Sequence, residues 1–156
     1  GPAAHTAGYP DPRTVNASPP MPETIPFNYL AILVATVSTF ILGGVWYAPP
    51  VFGNAWMRES GFTKESLERM GGTARIFGVS FVLEAIMAFN LAAFIGPKAS
   101  LSFGLFAGAA AGFGWVAAAY GVTYLFEHRS LKLFLINAGY HAVAFTMMGA
   151  ILGAWR

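Results

Sequence analysis

Four long apolar stretches fill the chain from Phe27 to Trp155: Phe27 to Tyr47, Arg75 to Ile95, Ser102 to Phe126 and Leu131 to Trp155. At ~1.5 Å of rise per residue, a helix over any of them crosses a hydrocarbon core ~30 Å thick. Lipid offers no partner to open backbone groups, so such segments must be helices. The fold class that follows is all-α: an integral membrane bundle of four transmembrane helices, with a short cytoplasmic amphipathic helix between the first and second spans.

Composition agrees. An apolar content of 56%, a charged content of 10% and a mean hydropathy of +0.56 leave too little polar surface for a soluble domain of 156 residues. The chain has no cysteine, which removes disulfides, thiolate metal sites and a Cys nucleophile. Its Lys and Arg residues lie singly in loops, so the net charge of +2 forms no patch for nucleic acid.

Residues 1–26 read as a Pro-rich extended tail ahead of a four-span domain at 27–156. Gly1-Pro2 has the form of the scar left when a protease removes a tag, and Met21-Pro22 offers an alternative start. No basic region leads into a short apolar core, so no signal peptide is expected. Asn16-Ala17-Ser18 fits the glycosylation triplet, a pattern common by chance.

Pro49 and Pro50 stop the first span, and the more polar insert from Phe52 to Gly72 follows. Within it, Thr63 as N-cap, Glu65 in the first turn, Arg69 in the last and the Gly71-Gly72 stop predict one short helix. Phe62 and Leu67 have the spacing of a hydrophobic staple across that cap. Arg58, Lys64, Arg69, Arg75, Arg129 and Lys132 fall on one side of the membrane, and Arg13, Lys98 and Arg156 on the other. The positive-inside bias therefore puts the insert in the cytoplasm and both termini outside.

Inside the spans, Glu84 and His141 are the two side chains that ionise near neutral pH. Charge in hydrocarbon is expensive, which makes them the leading functional candidates. Glu84 lies nine residues after Arg75 and His141 ten after Leu131, both roughly 14 Å deep on parallel helices. Ser38 and Trp115 reach a similar depth on the antiparallel spans, and Asn137 lies one turn before His141 on the same face. Ser38, Glu84, Trp115, Asn137 and His141 thus form a candidate ligand-binding layer for a proton, a cation or a small polar molecule. The competing reading is a hydrogen-bonded lock that fixes helix register. One His and one Glu cannot close a transition-metal site within a protomer, and no cofactor is expected.

Gly104, Gly108 and Gly112 recur every four residues, with Gly149 and Gly153 as a second set. Such faces let membrane helices approach closely, either within the chain or toward a homo-oligomer or membrane-complex partner through the third span. Gly112-Phe113-Gly114-Trp115-Val116-Ala117 matches a dinucleotide fingerprint in letters, but it lies in a span with no preceding strand. No G-x-S-x-G, H-E-x-x-H or P-loop lysine is present. Trp46, Tyr47, Trp56, Tyr124 and Trp155 sit near span ends or in the insert, where an interfacial belt is the default explanation.

Trp46-Tyr47-Ala48-Pro49-Pro50-Val51-Phe52-Gly53-Asn54-Ala55-Trp56, Asn137-Ala138-Gly139-Tyr140-His141 and Met148-Gly149-Ala150-Ile151-Leu152-Gly153-Ala154-Trp155 resemble the bacterial membrane family called domain of unknown function 1761. The resemblance implies a small four-span protein of the bacterial inner membrane. It assigns no activity and no catalytic residue. Two functions follow from the residues: an oligomeric binding or transport module using the midplane layer, or a non-catalytic subunit of a larger membrane assembly. A membrane enzyme ranks third, since no nucleophile or metal set accompanies the acid–base pair.

Overall fold

The computed structural model describes residues 26–155 without interruption and, before them, Gly1, Ala3, Gly8, Ser18, Pro20 and Met21. The expected extended tail, the Asn16 triplet, Arg13 and Arg156 lie outside the described residues. Four helices are long and apolar enough to cross a membrane: Tyr29–Trp46, Thr73–Ile95, Leu101–Phe126 and Leu131–Ala154. Among the described residues there is no strand. These are the four spans, and their ends fall within about two residues of the sequence expectation.

Local chemistry sets those ends. Asn28, Ser100 and Ser130 each cap a span by accepting a backbone N–H three residues on, at 3.0, 3.2 and 3.1 Å. The third span closes on His128, which takes the left-handed conformation at φ 55° while the Arg129 N–H reaches back to the Tyr124 carbonyl at 2.9 Å.

The insert departs from expectation. Where one helix is predicted there are two, Asn54–Ser60 and Lys64–Met70, preceded by a π-helical turn over Pro49–Gly53. The prolines sit in the first turn, where their missing N–H groups are not needed. Gly53 closes the turn by donating to the Ala48 carbonyl at 2.9 Å. A Cβ there would collide with the Tyr47 carbonyl oxygen and lie 2.8 Å from the Ala48 carbonyl carbon, so only glycine fits. Thr63 caps the second short helix as predicted, with Ser66 completing a capping box. Phe62 packs on the Trp56 ring at 5.5 Å, which ties the two short helices together.

The fourth span is the axis of the bundle. Half of its most apolar window is buried, against 11% for the second span, which lies at the periphery. Alanines keep the contact surfaces small: Ala31 and Ala35 on the first span, Ala88 on the second and Ala107 and Ala111 on the third surround Met148 and Leu152. Large apolar side chains such as Leu33, Ile41, Val82, Leu83 and Phe106 point outward, as they must where the solvent is lipid.

The glycine repeat joins the third span to the fourth. A Cβ on Gly104 would overlap the Gly149 carbonyl oxygen, one on Gly149 the Gly104 oxygen, and one on Gly108 the Phe145 oxygen. The face proposed for a partner is therefore occupied by the chain's own fourth span. Further along, the helices part: Gly121 faces only the Phe134 ring, 3.4 Å from its Cβ position. Between the tight and the open half lies a second π-helical segment, Gly112–Ala117. A strict four-residue repeat drifts about 40° per step around an α-helix. The wider π turns take up part of that drift and bring Tyr120 and Tyr124 round to the face that Gly104, Gly108 and Gly112 began.

Candidate functional site

The open half of the bundle is filled by polar and aromatic side chains from all four spans. Glu84 enters from the second span and meets two hydroxyl groups: the Thr39 hydroxyl lies 2.9 Å from its Oε2 and the Tyr140 hydroxyl 2.6 Å from its Oε1. Each hydroxyl also faces a backbone carbonyl of the first span. Thr39 Oγ1 is 2.9 Å from the Thr36 oxygen, and the Tyr140 hydroxyl is 3.0 Å from the Thr39 oxygen. Two hydroxyl hydrogens thus serve four acceptors. Among the described residues Glu84 makes no ion pair, the salt bridge there being Arg129 with Glu127 on the surface.

One turn toward the insert, Asn137 bridges two tyrosines. The Tyr47 hydroxyl donates to its Oδ1 at 2.7 Å, and its Nδ2 donates to the Tyr124 hydroxyl at 2.7 Å. His141 shares a 3.1 Å hydrogen bond with the Tyr120 hydroxyl, and the two rings stack at 5.2 Å. Ring contacts connect the groups: Tyr140 with His141 at 5.0 Å, Tyr47 with Tyr140 at 5.6 Å, and Tyr120 with Tyr124 at 5.5 Å. Trp46 anchors the first span to the fourth through an indole N–H bond to the Ile136 carbonyl at 2.9 Å.

The five residues singled out from sequence separate on this geometry. Glu84, Asn137 and His141 all lie in the polar region, but Glu84 bonds Tyr140 rather than His141. Consecutive residues of a helix are about 100° apart, so the neighbour at the same depth takes the carboxyl and leaves His141 to the third span. On the first span, Thr39 rather than Ser38 provides the hydroxyl, for the same reason. Trp115 stands apart: it is 69% exposed on the outer face and packs edge-on to Phe94 at 6.3 Å.

Sequence reasoning missed Thr39, Tyr120 and Tyr140, and assigned Tyr47 and Tyr124 to an interfacial belt. Their signal is present in the spacing, because Tyr120 and Tyr124 repeat by four in register with the glycines. A phenol inside a span also needs a partner, as any polar group there does. No buried side-chain nitrogen or oxygen among the described residues is left without one.

A family model described as "Protein of unknown function (DUF1761)" matches residues 30–153. No curated protein and no solved structure matches the chain.

Proposed function

The chain belongs to the DUF1761 family, and from the polar groups in the open half of its bundle we propose that it is a membrane module for proton exchange centred on Glu84. The observation that carries the reading is the shared-hydrogen arrangement around the carboxyl group. A hydroxyl hydrogen rotates freely to suit its surroundings. When Glu84 is ionised, Thr39 and Tyr140 both donate to it. When a proton binds the carboxyl, either hydroxyl turns to its first-span carbonyl and accepts from the acid, with no heavy atom moving. The site therefore takes up and releases a proton at little cost in reorganisation.

Asn137 with Tyr47 and Tyr124, and His141 with Tyr120, extend the polar groups toward the insert. The positive charges of the insert and the neighbouring span ends favour a cytoplasmic position for that side.

Purified protein in vesicles loaded with a pH-sensitive dye tests this. We expect wild-type protein to raise proton flux, Glu84→Gln to abolish the increase, and Tyr140→Phe to lower it while keeping the ring in place. Flux no greater than in empty vesicles would refute the proposal. A second reading, a packing lock in a subunit of a larger assembly, is favoured by the burial of Thr39 at 1% and Tyr140 at 6% exposure. It predicts that the same substitutions lower stability and leave flux unchanged.

A further inference from the structure

On the other side of the fourth span lies a groove that the polar region does not use. Leu135, Gly139, Ala142 and Val143 share one face of the helix, whereas Asn137 and His141 are each about 160° from Gly139 around the axis. Trp46 and Phe52 from the end of the first span and the π turn form one wall, and Phe113 of the third span the other. The cavity measures about 420 Å³, within the range of ligand pockets. Lys132 lines its rim.

Three features define the occupant. The walls are apolar and open toward lipid, so water gains no partners there and an empty slot forfeits van der Waals contacts. Lys132 is the second residue of the fourth span, which puts its stem along the hydrocarbon boundary and lets its ammonium reach the headgroup layer. Among the described residues that ammonium makes no ion pair, while nearby Arg129 is held by Glu127 at 3.4 Å. We propose that this groove is a binding site for an anionic phospholipid, with one acyl chain between Trp46, Phe113 and Val143 and the phosphate paired with Lys132.

Trp46 reports directly on such a chain, since bromine on an acyl chain quenches indole fluorescence on contact. The protein carrying Trp56→Phe, Trp115→Phe and Trp155→Phe keeps Trp46 as its one indole. In vesicles we expect brominated phosphatidylglycerol to compete for the groove about fivefold better than brominated phosphatidylcholine, the preference one lysine near a membrane surface gives. Lys132→Gln should remove the preference and Lys132→Arg keep it. Equal quenching by the two lipids in the parent protein, or a preference that survives Lys132→Gln, would overturn the proposal. Should the triple substitution fail to fold, native mass spectrometry of the unsubstituted protein provides the same test. Wild type should retain phosphatidylglycerol, and both Lys132→Gln and the groove-filling Val143→Phe should lose it; equal retention by all three would overturn the proposal.

Discussion

Replacing Gly104 by alanine asks whether direct backbone contact between the third and fourth spans holds the bundle together. The new methyl would overlap the Gly149 carbonyl oxygen and stand 2.8 Å from the Gly153 Cα and 3.1 Å from the Gly149 carbonyl carbon. These are backbone atoms on the partner helix, so relief requires the helices to part. Overpacking of this kind costs about 1–3 kcal/mol, and separation also loses a Cα–H···O contact of about 0.5–1 kcal/mol. Against this, alanine gains about 1 kcal/mol in helix propensity. Gly78 isolates that gain, because a Cβ there meets nothing within 4 Å. Gly78→Ala should stabilise the protein by up to about 1 kcal/mol. The propensity gain is common to both alanine variants, so they should differ by about 1.5–4 kcal/mol in reversible unfolding in mixed micelles. Gly149→Ala should match Gly104→Ala, and the double variant should fall short of the sum, since helices already parted admit the second methyl more easily. Equal stability of Gly104→Ala and Gly78→Ala would refute the reasoning.

Other substitutions probe the remaining parts. Asn137→Leu leaves the Tyr47 and Tyr124 hydroxyls without their bridge and should destabilise by about 1–3 kcal/mol per unpaired hydroxyl, measured in the same micelle unfolding assay; a change below about 0.5 kcal/mol, the scatter of ordinary surface substitutions, would count against a packed bridge. His128→Gly relieves a left-handed residue at the end of the third span and should stabilise by about 1 kcal/mol, since glycine is the usual occupant there. Gly53→Ala should unseat the π turn, read as faster proteolysis within the insert.

How far the fold was legible follows from which physical signal each feature left. Span lengths, the Thr63 cap and the stop at Pro49 are local, and all could be read residue by residue. Gly104, Gly108 and Gly112 announced a close contact but not its partner, because lipid-facing and helix-facing sides of these spans are equally apolar. For the same reason no periodicity revealed the π turn at Gly112–Ala117, whose extra residue changes the facing of everything after it. Residue counting along parallel helices put Glu84 level with the Tyr140–His141 step, where the carboxyl meets the Tyr140 hydroxyl. It could not give rotation about the helix axes, which is why Thr39 stands where Ser38 was expected and Tyr140 meets Glu84 in place of His141.

The tight half and the polar half of the bundle follow from one cause. Where Gly104 faces Gly149 and Gly108 faces Phe145, backbone meets backbone and no side chain fits between. Beyond Gly112 the glycines give way to Tyr120 and Tyr124, and the helices must diverge to admit the rings. A wedge of that shape inside hydrocarbon has to be filled, and the phenols that fill it bring hydroxyls needing partners. Asn137 and His141 on the fourth span provide them. Glu84 reaches the same region from the loosely held second span, through Tyr140 and Thr39. Shortening the wedge by placing glycine at Tyr120 should thus draw the third and fourth spans together and leave His141 without its phenol. That change would perturb the polar groups from the packing side, without touching Glu84.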